Sequence, residues 1–210
     1  MRKRNAHTSF DNFFRWMGVY RATLRRVREP NDLLTVEQAK EVFEAFVPKV
    51  AVQWDILSED LIIDCVNRDT SQYAGYLGEK LPKHIPSALC EVMLTGLRYF
   101  DFKGVSDLKG TAKKVLVPSW NPFQAIPPAA GKRIDQFFVV RNYLAHYSRV
   151  SERSYAEMCR RAFGARRFRE PQDFLFAKVG NQSKTRFERE FIDSFEVAAK
   201  AMAAKLNLPM

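Results

Sequence analysis

The sequence predicts an all-α protein: a helical bundle of about five to six helices, with a long Pro/Gly-rich loop ahead of its most informative helix. Three observations carry that prediction. Apolar residues recur every three and four positions over several long stretches, the period of a helix buried along one side. No segment shows the strict alternation of a half-buried strand. Thr35 with Gln38, and Ser154 with Glu157, have the spacing of capping boxes that open helices. Hydrophobic residues make up 46% and charged residues 28% of the 210 positions, a balance suited to a packed core and not to a disordered chain. Seventeen Phe point to a core in which rings pack beside aliphatic chains.

Taken in order, the first 30 residues predict a basic amphipathic helix. Phe13, Trp16, Met17, Tyr20 and Leu24 recur at helical spacing and the helix ends before Glu29-Pro30. Residues 1–32 are read as a basic N-terminal helical extension, and residues 33–207 as the bundle domain. Whether the extension joins the bundle, binds substrate or swaps between subunits is left open by the sequence. The second helix opens on the Thr35 box and buries Val42, Phe43, Phe46, Val50, Trp54, Leu57 and Leu61, with a kink expected at Pro48. Gly75, Gly78, Pro82 and Pro86 mark a break. Ile85, Ala88, Leu89, Val92, Met93, Leu97 and Phe100 then outline a third helix. Residues 104–131, punctuated by Gly104, Gly110, Pro118, Pro122, Pro127, Pro128 and Gly131, read as a long connection. A short helix around "SDLKGTAKKVLV" can lie within it, and Trp120 and Phe123 favour an ordered cover over a tether. A further helix begins near Lys132 and breaks near Ser148–Ser154, where the Ser154 box starts the next, closed by Gly164. Phe187, Phe191, Phe195, Ala198 and Met202 define the last.

Lys and Arg number 34 against 24 Asp and Glu, a formal net charge of +10, and the excess is local. Residues 1–30 hold eight basic and two acidic side chains, and residues 149–169 hold seven and two. Two arginine-rich patches on a balanced body favour a polyanionic partner, since guanidinium matches phosphate in bidentate geometry. Three cysteines without a CxxC argue against a disulfide framework and suit a reducing cytoplasm. No stretch approaches the roughly 18 apolar residues that a membrane helix needs, and no signal-peptide core follows the basic start. A cytoplasmic protein without a membrane partner is expected. No His, Asp and Glu residues cluster at metal-ligand spacing, and no phosphate-cradling glycine loop or nucleophile elbow is present. Neither a metal nor a cofactor is expected, and His7 and His84 read as surface histidines.

The stretch "FFVVRNYLAHYS", residues 137–148, carries the chemistry. At 100° per residue, Arg141 falls within about 20° of Ile134, near the middle of the arc of Ile134, Phe137, Phe138, Leu144 and Ala145. A guanidinium there must meet a carboxylate, snorkel outward, or face a cavity or an interface. Asn142 and His146 lie on the flank of the arc. Histidine is the side chain whose ordinary pKa, ~6.5, suits proton transfer near neutrality. The same arginine-to-histidine spacing occurs at Arg2–His7, but at a charged terminus with nothing apolar to hold it.

Arg141-Asn142-Tyr143-Leu144-Ala145-His146 resembles the R-[polar]-x-x-x-H signature of the HEPN superfamily, in its "RN-x-x-AH" spelling. The resemblance is close over the motif and its helix and looser over the helical layout of the bundle. It implies a small all-helical domain, commonly dimeric, and in many members a metal-independent endoribonuclease acting in toxin, defence or RNA-processing systems. Arg141, Asn142 and His146 are then the candidate catalytic residues. RNA supplies its own nucleophile: the 2′-OH attacks the adjacent phosphorus, expels the 5′-oxygen and leaves a 2′,3′-cyclic phosphate. His146 would move the proton and Arg141 would hold the non-bridging oxygens, with Asn142 orienting either. Arg149, Arg153, Arg160 and Arg161 of the second basic patch are the candidate substrate-binding residues. Arg141 and His146 point about 140° apart on their helix, so a twofold homodimer crossing this helix against its copy is expected to gather them into one cleft. RNA, a second copy and an antitoxin or defence-system protein are the expected partners. The alternative is a non-catalytic HEPN-like RNA-binding or protein-docking module.

Overall fold

The structure, a computed structural model, describes residues 5–28, 34–95, 102–164, 170–179 and 184–208. They form nine α-helices, where the sequence predicts about five to six: α1 (Ala6–Arg28), α2 (Val36–Arg68), α3 (Ser71–Leu77), α4 (Ser87–Thr95), α5 (Val105–Val115), α6 (Pro128–His146), α7 (Arg149–Phe163), α8 (Pro171–Phe176) and α9 (Asp193–Lys205). The only extended pairing among the described residues is an isolated bridge between Lys178 and Thr185. The all-α class is therefore as the periodicity predicts. Leu97 and Phe100, expected on the third helix, lie outside the described residues, as do Arg2, Lys3, Arg4, Arg166, Arg167 and Arg169 of the basic patches.

α2 and α6 are the central helices. α2 packs on α1, α4, α6 and α8, and α6 packs on α2, α5, α7 and α9. The core where they meet is aromatic. The Trp54 ring lies 6.2 Å from Phe13 and 5.1 Å from Phe195, and Phe137 meets Phe195 at 4.9 Å and Phe191 at 5.5 Å, both edge to face. Such offset and perpendicular contacts suit the ring quadrupole and add to the apolar area removed from water. α2 opens on Thr35, whose hydroxyl accepts from the Gln38 amide while Gln38 accepts from the Thr35 amide, the reciprocal box anticipated from the sequence. It runs through Pro48, which is exposed.

The N-terminal arginines have work inside the fold. α1 buries Phe10, Phe13, Met17, Tyr20 and Leu24 in the common core, while Trp16 stays partly exposed. Arg21 Nη1 donates to Asp193 Oδ1 at 2.7 Å and Nη2 stands 3.0 Å from Glu196 Oε2. Arg28 Nη1 donates to Glu188 Oε2 at 3.0 Å, and Arg25 Nε stands 3.4 Å from Glu188 Oε1. Glu188 is fully buried and also accepts from the amide and hydroxyl of Thr185. It lies in a π-helical turn, Phe187–Ile192, that leads into α9. Arg21 and Arg28 of the first basic patch thus strap α1 to α9 and to the turn ahead of it, while Arg25 lies at the exposed end of the same group.

Several boundaries differ from the sequence reading, each for a local reason. Within the long connection at 104–131 the short helix expected around "SDLKGTAKKVLV" is present as α5, and two 3-10 turns at Pro118–Trp120 and Pro122–Ala125 structure the stretch after it. α6 starts at Pro128, four residues early, because proline's fixed φ suits a first helical position. α7 starts at Arg149: Ser148 and Ser151 form the capping box, and the Ser154 hydroxyl instead donates to the Val150 carbonyl inside the helix. Gly164 closes α7 in the left-handed conformation at φ 60, as expected. On α4 the buried residues are Cys90 and Leu94, and Leu89 and Val92, expected in the core, are exposed.

Candidate functional site

α6 changes its buried side along its length. Ala130, Ile134, Phe137 and Phe138 are covered in its first three turns; in its last turns the cover falls on Val140 and Tyr143. The switch comes from α7. Tyr147 takes a left-handed conformation (φ 43, ψ 31) as the cap of α6, the Ser148 hydroxyl accepts from the Ser151 amide, and the chain reverses within two residues. α7 returns over the Tyr143 side of α6, where the Tyr143 and Tyr155 rings stack at 5.1 Å and 14°. Arg141, Ala145 and His146 are left on the uncovered side. Arg141 and Asn142 are half-buried and His146 is exposed.

That uncovered side forms one wall of a cleft of about 390 Å³. Arg141, Asn142 and His146 line it from α6, Val150, Ser151 and Ser154 from α7, and Phe102 and Lys103 from the segment ahead of α5. Arg141 and His146 share it although they point about 140° apart and stand roughly 7.5 Å apart along the axis, because the cleft wraps the end of the helix. No carboxylate stands among its described lining residues. Arg141 Nη1 donates to Asn142 Oδ1 at 3.0 Å, and no described carboxylate lies within ion-pair reach of Arg141. The buried ion pair that could have explained an arginine in this stripe is absent among the described residues, and the guanidinium faces a cavity.

The other predicted site residues lie elsewhere. Arg149, Arg153, Arg160 and Arg161 are all exposed, and none lines the cleft. Arg149, Arg153 and Arg160 fall within about 40° of one another on α7, opposite its buried Tyr155, Met158 and Cys159. Arg161 falls on the face of Val150 and Ser154, where it pairs with Glu157 at 2.5 Å. Of these four residues, Arg149, Arg153 and Arg160 therefore form an outward stripe, Arg161 stands apart from it, and none lines the cleft.

Two features at the cleft's edge carry no local sequence signal. Tyr147 holds its backbone at positive φ, uncommon for a bulky residue, and its hydroxyl donates to Glu44 Oε1 on α2 at 2.8 Å. Loss of hydration, and then the adjoining Glu44 carboxylate, push its phenol up to about 12. The second feature is Lys103. A lysine beside a glycine in a loop-like stretch gives no reason to expect it at the arginine. His84 lines a different and more open depression with Lys83, Asp69, Arg68 and Trp120. There Arg68 is paired with Asp64 at 2.8 Å and lies 5.0 Å over the Trp120 ring.

Among the described residues, no three His, Cys, Asp or Glu side chains stand together as metal ligands, and no helix is long and apolar enough to cross a membrane. No family model, no curated protein and no solved structure matches the chain. The resemblance to the HEPN signature rests on Arg141–His146 and the helix that carries them.

Proposed function

We propose that the chain is a metal-independent endoribonuclease of HEPN type, cleaving RNA by attack of a 2′-OH on the adjacent phosphorus. The observation that carries the reading is the cleft onto which Arg141, Asn142 and His146 open together, with no described carboxylate in its lining. His146 takes the proton from the 2′-OH or returns one to the departing 5′-oxygen. Arg141 holds the non-bridging oxygens of the pentacoordinate phosphorus, and Asn142, already hydrogen-bonded to it, keeps the guanidinium oriented. The P–O5′ bond breaks as the P–O2′ bond forms, leaving a 2′,3′-cyclic phosphate and a 5′-hydroxyl. One chain supplies one such histidine. A homodimer across the uncovered side of α6 supplies the second, and with it both an acid and a base.

The outward stripe of Arg149, Arg153 and Arg160 favours a second reading, an RNA-binding helical module without turnover, because those residues can track a phosphate backbone outside the cleft. One experiment separates the two. Purified protein and its His146→Ala variant are incubated with RNA in excess EDTA, and the new 3′ ends are identified by mass spectrometry. Cyclic-phosphate ends from the native protein alone are expected. Binding without cleavage by either protein refutes the ribonuclease and leaves the module. Equal cleavage by both removes His146 from the mechanism.

A further inference from the structure

We infer that Lys103 is a substrate-binding residue of the cleft, a second cation that takes a phosphate of single-stranded RNA opposite Arg141. The inference rests on the RNA reading of the cleft and adds to it a residue outside the arginine-histidine motif. The Lys103 side chain is exposed, but its backbone stands between two buried residues in a segment tied to α6. Phe102, immediately before it, is buried. Gly104, immediately after it, is buried at φ 152, a conformation that L residues rarely adopt. Asp135 of α6 reaches across to this point. Its Oδ1 accepts from the Val105 amide at 2.6 Å and its Oδ2 from the Ser106 hydroxyl at 3.0 Å. It thus caps α5 from thirty residues away, where Gly104 has no side chain to do so. Glycine is required there, because an added β-carbon would sit 3.2 Å from Asp135 Cγ and closer still to its Oδ1. From the other end the Lys103 amide donates to Asp107 Oδ2 at 3.4 Å.

α6 therefore carries both the motif and the clamp: Arg141 lies six residues beyond Asp135, so Lys103 is referenced to the same rigid helix as the motif. No described carboxylate pairs with Lys103, and it lines the cleft together with Arg141 and His146. A cleft of about 390 Å³ falls near the small end of ligand pockets, roughly 300–1,000 Å³. A single nucleotide unit with its phosphate suits it, and a duplex does not.

Binding can be read without cleavage, using a fluorescein-labelled single strand whose riboses are all 2′-O-methylated. Anisotropy titrations at several salt concentrations give the slope of log K against log salt, which counts phosphate contacts. Lys103→Ala should weaken binding several-fold and make that slope shallower by about 0.7, one contact on a single strand. Lys103→Arg should keep the slope, and Lys114→Ala, on α5 but outside the cleft, should match the native protein. Asp135→Ala, which keeps the lysine but frees its segment, should weaken binding with the slope unchanged. A Lys103→Ala slope equal to the native one, while Arg141→Ala lowers it, overturns the inference and leaves the ribonuclease reading standing. No binding by the native protein overturns both. Cleavage unaffected by His146→Ala, with the lysine slope as expected, refutes only the catalytic assignment.

Discussion

The clamp at Gly104 and Asp135 gives the most exacting test of how this site is held. Gly104→Ala should destabilise the protein through two separable effects. A side chain at φ 152 costs about 1–3 kcal/mol of backbone strain. The new β-carbon also displaces the Asp135 carboxylate and disturbs the bonds it accepts at 2.6 and 3.0 Å, a further ~1–2 kcal/mol, the worth of a helix cap. Asp135→Ala alone should cost about the same 1–2 kcal/mol, since it deletes the cap outright. In the double variant the carboxylate is gone, and the nearest remaining clamp atom, Asp135 Cα, lies at an ordinary 3.5 Å from the added carbon. Only backbone strain is then left for the second substitution to add. The pair should therefore cost about 1–2 kcal/mol less than the sum of the singles. Urea unfolding followed by far-UV circular dichroism reads this as midpoint shifts at constant m. Additivity within about 0.5 kcal/mol would refute the claim that Asp135 and the Gly104 backbone occupy each other's space.

The other predictions concern the strap, the turn and the histidine. Glu188→Ala removes the buried acceptor of Arg28 and Thr185 and should cost about 3–5 kcal/mol, whereas Arg25→Ala, at the exposed end of the same group, should cost under about 1 kcal/mol. Equal losses in thermal melts would contradict a strap anchored on the buried carboxylate. Tyr147→Phe deletes the bond to Glu44 and should cost about 1 kcal/mol or less. The Tyr147 phenol is raised from its ordinary 10.0 to about 12, so its contribution is full below pH 10 and lost as pH rises through 12. The stability gap between native and Tyr147→Phe protein should accordingly narrow over that window, and a gap constant from pH 9 to 12 would count against the coupling. His146 is exposed, so His146→Ala should shift stability by no more than about 0.5 kcal/mol while lowering the cleavage rate by about 10²–10⁴. A loss of activity that tracks a loss of fold would argue against a chemical role.

The legible parts of the sequence were those governed by neighbours along the chain. Thr35 and Gln38 mark a helix start because both partners of the box lie within one turn. Gly164 marks a stop because the left-handed cap suits glycine. Thr185 and Glu188 also have box spacing and exchange the reciprocal bonds, a start signal local enough to stand in the sequence. The Ser154 box failed because Ser148 with Ser151 supplies the same bonds six residues earlier, at the point where Tyr147 turns the chain. On α4, periodicity outlined an apolar face that included Leu89 and Val92, yet α2 covers a different side.

The sequence by itself determined the helical class, the aromatic character of the core and the placement of Arg141, Asn142 and His146 within one helix, since each depends on spacing of a few residues. Tertiary structure decided the rest. Periodicity says that a helix has an apolar arc, but not which neighbour fills it. α7 covers the Tyr143 side and leaves the Arg141 side facing a cleft. Net charge reports arginines, but not their partners: Arg21, Arg25 and Arg28 are engaged by carboxylates some 160 to 175 positions away. Lys103 lines the cleft just ahead of a helix start that Asp135, on another helix, caps by accepting from the Val105 amide, and a hydrogen bond between elements so far apart in the chain leaves no local pattern to read.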